Sequence, residues 1–268
     1  MSMKVLPVCF LSGFMALASA LGADSPASKP MPDFCQENKN LPDNGLTYCG
    51  PVAASNILVH LDRNKFQNLL DVTDPTDSDQ LKLIQLLGSN RYMRTSIHGT
   101  SPINLMSGLE QYITDRGYIT SIKWRGKENG GKYSAGTELP DPAWLKKEIE
   151  NGSHAVLIMG FYEKLEGGIT LFLRSGAHYV TLNGFKSDRE IFIHDPGPHS
   201  GKETKKELYK LVPIQDDCRM GSGLGGSTRS AKGYWMLEAI NPINPSPVLI
   251  LEGAVVFKIE DRVAARQK

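Results

Sequence analysis

Apolar residues recur at helical spacing through the first half of the chain and at alternating or continuous spacing through the second. From Val52 to Leu61 the apolar positions Ala53, Ala54, Ile57, Leu58 and Leu61 fall on one helical face, and Pro51 suits a first helical turn. A second helix is predicted over Gln80–Leu87, capped by Asp77-Ser78-Asp79 and ended by Gly88. Thr100-Ser101-Pro102 introduces a third over Ile103–Tyr112, stopped by Gly117, and Pro142–Asn151 reads as a fourth before Gly152. Strand-like runs follow at Tyr118–Trp124, Ala155–Tyr162, Ile169–Leu173, His178–Phe185 and Glu190–His194. Val248–Ile259 closes the series as a strand or a pair of strands. Helices first and a mostly antiparallel sheet afterwards predict an α+β domain.

The first residues carry a different pattern. Lys4 precedes an uncharged, largely apolar run from Val5 to Ala18, and small residues surround Ala20 to Ala23. This is the layout of a signal peptide over residues 1–23, and the run is too short to span a bilayer. Residues 24–33, with three prolines, read as a disordered leader, which leaves 34–268 as one domain. The expected location is therefore secreted or periplasmic, with no membrane insertion once the signal is removed. Hydrophobic content of 40% and charged content of 22% are those of a globular chain, and a net charge of +1 gives no reason to expect a nucleic-acid partner.

Export changes the meaning of the cysteines. With Cys9 removed, Cys35, Cys49 and Cys218 remain, an odd number in an oxidising compartment. A Cys35–Cys218 disulfide with Cys49 free is the expected arrangement, the other two pairings remaining open. The loops at 126–136 and 220–233 are polar and glycine-rich. Gly221-Ser222-Gly223-Leu224-Gly225-Gly226 lacks the strand and helix that a phosphate-binding loop needs.

Cys49 stands at the start of the first helix, where the positive end of the helix dipole favours a thiolate. A cysteine acyl-transfer site also needs a histidine to exchange protons and a group to hold that histidine. His178 lies in the strand run after Gly176, and Asp195 follows the next strand directly before Pro196, so a hairpin can set them side by side. His194 and His199 near Asp195 raise a metal alternative, but no paired His or Cys spacing supports it.

Tyr48-Cys49-Gly50-Pro51, the run Gly176-Ala177-His178-Tyr179-Val180 and Ile193-His194-Asp195-Pro196, taken in this order, resemble the papain-like cysteine peptidases of the bacteriocin-leader-processing, double-glycine-peptidase-like type, in particular their secreted stand-alone branch. The resemblance implies a papain-like α+β fold and a Cys49–His178–Asp195 triad. It also implies a peptide or protein substrate and no cofactor. The family usually carries a glutamine about six residues before the cysteine, where its amide helps bind the oxyanion. Asp43 has that spacing here, so Asn44 is the preferred substitute and Gln36 the alternative. Two other readings stay open: a catalytically inactive binding module of the same fold at the cell surface, and acyl transfer in place of hydrolysis. Pocket-lining residues are expected from 88–140 and 220–233, outside the recognisable motifs.

Overall fold

The computed structural model describes residues 28–136, 138–201, 207–222, 227–240 and 247–262. The signal peptide expected over 1–23 lies outside the described residues. Four helices come first: α1 (Cys49–Asn64), α2 (Asp77–Gly88), α3 (Pro102–Asp115) and, after strand β1 (Ile119–Gly126), α4 (Pro142–Glu150). Three of them begin as helix starts should. Thr76 and Asp79 form a reciprocal capping box on α2, Ser101 accepts from the Asn104 N–H at 3.3 Å, and Asp141 accepts from the Trp144 N–H at 2.9 Å. Pro102 and Pro142 occupy first-turn positions that need no N–H. Only α1 of these four lacks a side-chain cap.

The strands continue as β2 (His154–Leu165), β3 (Leu171–Phe185), β4 (Glu190–His194), β5 (Leu208–Pro213), β6 (Arg219–Ser222), β7 (Arg229–Ser230), β8 (Trp235–Ala239) and β9 (Val248–Glu260). The two runs predicted at 169–173 and 178–185 are a single strand, β3, paired with β2 across a register shift at Phe161/Tyr162. The strands β5 to β8 are short and were not anticipated. Their pairing closes the architecture: β2 pairs with β3 and with β9, and β3 leads through β4, β5 and β8 back to β9. Six strands thus form a ring, with β1 added along the far half of β9. All pairs are antiparallel except β3–β6.

Alternation along the ring sorts two cores. Ala155, Leu157 and Met159 of β2 join Val180, Leu182, Ile193 and Val256 inside, with Leu145 of α4 against them. Val156 and Ile158, the intervening residues, face α1 and α3 through Ile57, Leu105 and Leu109. This is why β2 reads as a continuous apolar run: both of its faces are covered. A third cluster of Tyr162, Phe172, Cys218 and Met220 fills the end of the ring where β3 begins.

Residues 28–33, expected within a disordered leader, are instead held along the domain. The Asn64 amide accepts from the Lys29 N–H at 2.7 Å and donates to the Lys29 carbonyl at 2.9 Å, and His194 Nδ1 donates to the Pro32 carbonyl at 2.9 Å. A sequence rich in proline costs little entropy to order when fixed polar partners await its backbone.

The expected Cys35–Cys218 disulfide is absent; Cys35, Cys49 and Cys218 are free thiols. Cys35 Sγ reaches the Gly197 carbonyl at 3.4 Å, beside the end of β4, whereas Cys218 precedes Arg219, which pairs with Leu171 at the start of β3. From Leu171 to His178 the strand advances six ladder steps, about 20 Å at ~3.3 Å each, far beyond the reach of a disulfide. Counting cysteines carries no distance information.

Two outcomes follow. Leu157→Ala, at a fully buried position inside the ring, lowers the unfolding free energy by about 2–5 kcal/mol in a urea titration. Dithiothreitol leaves the melting temperature of the folded protein unchanged, since no bridge remains to be reduced; a marked fall contradicts the free-thiol arrangement.

Candidate active site

Cys49 is the first residue of α1, partly buried against the helical core. The first turn of a helix has N–H groups with no partner within the helix, and α1 has no side chain to satisfy them. Gly50 follows because the helix start presses on its neighbours: a Cβ there lies 3.3 Å from the Thr100 side chain and 3.4 Å from the Tyr179 ring. Tyr179 in turn donates to the Thr100 carbonyl at 2.9 Å, and Thr181 donates to the Ala53 carbonyl of α1 at 2.9 Å. From β3, Thr181 therefore fixes the helix against the ring, and Tyr179 holds the loop before α3 beside it.

The histidine arrives from that same strand. His178 pairs directly opposite Met159 of β2 and stacks against Phe161, with ring centroids 6.2 Å apart. Antiparallel pairing of β3 with β4 sets Thr181 opposite His194, so Asp195, the next residue, falls opposite Val180 and diagonally beside His178 on the same face. His178 Nε2 meets Asp195 Oδ1 at 2.7 Å. That carboxylate oxygen also accepts from the Gly197 N–H at 2.8 Å. Burial alone pushes the histidine down, but the hydrogen bond to Asp195 and the Cys49 sulfur beside the ring outweigh it, raising His178 to about 10. Asp195 is partly buried, which opposes its charge, yet the bond from His178 holds its carboxyl below the usual range. With Nε2 engaged by Asp195, Nδ1 is the ring nitrogen left for the thiol.

Glu207 stands behind this pair, buried just before β5, and gave no sign in the sequence, where it is one charge among many. Its carboxylate accepts from the Asp195 N–H at 3.1 Å, and its carbonyl accepts from the Ile193 N–H at 3.0 Å. Burial, with Asp33 and Asp195 nearby, raises Glu207 to about 8.

Cys49 and His178 open onto a cleft of about 490 Å³. Its lips are Leu46 and Ile97, apolar yet 70% and 79% exposed. Residues 97–102, 124, 127 and 128 come from the stretch expected to line it, and His98 is among them. The loop at 220–233 contributes to an adjoining cavity of about 400 Å³ through Met220, Gly221, Ser227 and Arg229. The charged wall of Lys127, Arg174 and Glu252 was not foreseen.

Neither oxyanion candidate lines the cleft. Asn44, the preferred one, is exposed in the turn Pro42–Gly45 with φ of 51°, and among the described residues no side-chain hydrogen bond fixes it. Gln36 is buried, and its amide Nε2 donates to the carbonyl of Leu46, a lip residue, at 3.1 Å. Closeness to Cys49 along the chain therefore does not translate into proximity here, whereas the longer loop brings Gln36 back beside the helix start. His194 is engaged by the Pro32 carbonyl, and among the described residues no group of three or more His, Cys, Asp or Glu side chains is arranged to hold a metal.

Comparison with known families adds an independent observation. The model of the Peptidase_C39 like family, whose fold is the papain-like α+β arrangement, matches residues 30–212, a span containing Cys49, His178 and Asp195. No curated protein matches the chain.

The raised His178 value has a direct readout. By NMR, the His178 ring stays protonated up to about pH 10, and Asp195→Asn moves its titration towards the ordinary value near 6.5. Because the folded value lies above the unfolded one, the stabilisation from this group is complete below about pH 6.5 and is lost as the pH rises through about 10. An ordinary titration in the unsubstituted protein contradicts the geometry described.

Proposed function

The chain belongs to the Peptidase_C39 like family, and from that premise we propose that it is an exported cysteine hydrolase cleaving peptide or protein substrates through an acyl-enzyme. One observation carries the reading: the same imidazole touches Asp195 at 2.7 Å and lies beside the Cys49 sulfur at the uncapped start of α1, inside a cleft.

The reaction runs as follows. With its proton already held by His178, Cys49 Sγ attacks the substrate carbonyl carbon as a thiolate. The carbonyl oxygen becomes an oxyanion facing the Cys49 N–H, which the helix leaves without a partner. Collapse of this intermediate breaks the carbon–nitrogen bond, and His178 returns the proton to the departing amine. Water then attacks the thioester with His178 as base, releasing the acid and restoring Cys49. Asp195 keeps the ring oriented throughout and favours its protonated form.

For the second oxyanion donor we favour Gln36 over Asn44. The Gln36 amide nitrogen has a second hydrogen beyond the one given to Leu46, and it is held by burial. The fact that this amide stops at the Leu46 carbonyl, short of the cleft, favours a second reading, a binding module of the same fold without turnover. Export rests on the signal-like residues 1–23 and places this activity in a secreted or periplasmic setting.

With denatured casein as substrate, the protein releases peptides and Cys49→Ala does not, while its melting temperature is retained. Gln36→Ala lowers kcat by about 10²–10³-fold, whereas Asn44→Ala leaves it unchanged. Equal cleavage by Cys49→Ala removes the hydrolase reading, and absence of cleavage by the unsubstituted protein across protein substrates turns the assignment to the binding module.

A further inference from the structure

Glu252 is 1% exposed, in the middle of β9, yet it carries a carboxylate into the wall of the cleft. Arg174 grips it with two parallel bonds, Nε at 2.6 Å and Nη2 at 2.9 Å. Lys127 Nζ adds a third at 2.7 Å and the Tyr162 hydroxyl a fourth at 2.5 Å. The strand beside it makes room: a Cβ on Gly160 stands 2.5 Å from the Glu252 carboxylate. Such a buried ionic cluster is a poor way to stabilise a fold, since apolar replacements of similar volume are often at least as stable. Its geometry does something else. It locks a long, flexible arginine in one orientation at the cleft wall.

Arg174 has donors to spare. A guanidinium offers five N–H groups, and Glu252 uses only those on Nε and one on Nη2. Among the described residues Nη1 has no partner, and the side chain is 35% exposed where the cleft meets the adjoining cavity. The charged lining at this end comprises Lys127, Arg174 and Arg229 against Glu128 and Glu252. Cations outnumber anions, and Glu252 is already engaged by two of them.

We propose that Arg174, clamped by Glu252, is a carboxylate-recognising subsite of the cleft, selecting peptides that carry an acidic side chain or a free C-terminal carboxylate. Its distance from the reacting atoms is set by β3. Arg174 precedes His178 by four positions, and the register shift between them leaves three ladder steps along β2, about 10 Å. An extended peptide covers that distance in about three residues. The recognised carboxylate therefore lies that many positions from the bond Cys49 attacks, and only this spacing rests on the hydrolase reading. The planar fork suits the two oxygens of a carboxylate, which a lysine matches only as a point charge.

The test uses fluorescein-labelled octapeptides of Gly, Ala and Leu with a single Asp or Asn at each successive position. A companion set ends in a free carboxylate or an amide. Affinities are measured by anisotropy on the full chain carrying Cys49→Ala, and again with Arg174→Gln added. The expected result is a preference of about tenfold for Asp over Asn at one position, or for the free carboxylate over the amide. Arg174→Gln erases it. The set that shows the preference identifies the source of the carboxylate. If Arg174→Gln fails to fold by its thermal melt, Arg174→Lys takes its place, and weakening of the preference is expected there as well. No binding by any peptide, equal affinities within every pair, or a preference that survives substitution of Arg174 overturns the inference. Incubating the same peptides with the unsubstituted protein separates the two ideas. Acid preference without cleavage leaves this subsite standing and removes the hydrolase, and cleavage without acid preference does the reverse.

Discussion

Everything at the candidate site depends on one contact, the hydrogen bond between His178 and Asp195 across β3 and β4. It sets which ring nitrogen faces Cys49, and it holds the imidazole in its protonated form against the burial that opposes it. A bond of this kind needs backbone support, because two side chains on mobile loops lose most of its worth to entropy. The support is the ladder between β3 and β4, itself one segment of a closed ring. Asp195 is secured further through its own N–H by Glu207 and through its carboxylate by Gly197. The N-terminal residues reinforce the same corner, since the Gln36 N–H donates to the Pro196 carbonyl at 2.8 Å.

The helix side is held by different forces. Ala53, Ile57 and Leu58 bury α1 against the second face of β2 and β9, and the Thr181 hydroxyl, bonded to the Ala53 carbonyl, fixes its height relative to β3. The nucleophile and its partner thus belong to two layers that share one strand. The strand that carries His178 also carries Arg174, and the helix start they serve lacks a side-chain cap. Where the other three helices cap their first turn with a side chain, α1 begins uncapped with Cys49 at the cleft.

Much of this was legible in the residues themselves. Periodicity located the four helices to within a few residues, and the turn between His178 and Asp195 allowed their approach to be inferred. The ring was not legible, because β2 and β9 are nearly a hundred residues apart and their pairing is decided by which apolar faces remain uncovered. Strands such as β7, two residues long, have no pattern to read. Sequence spacing also misled at Asn44, which is close to Cys49 along the chain but turned to solvent, while Gln36 returns through the loop. Glu207 and Glu252 looked like any other charges in the sequence; only burial reveals that each must be partnered. The cysteines erred for the related reason that parity is not geometry.

The most direct test of the central claim is mass-spectrometric mapping of iodoacetamide labelling on the folded protein at neutral pH, with and without His178→Ala. The account predicts that Cys49 is alkylated ahead of Cys35 and Cys218, and that this selectivity disappears when His178 is removed. Labelling of Cys49 no faster than the other two thiols, or unaffected by loss of the histidine, would contradict a nucleophile assembled by the helix start and the β3–β4 pair.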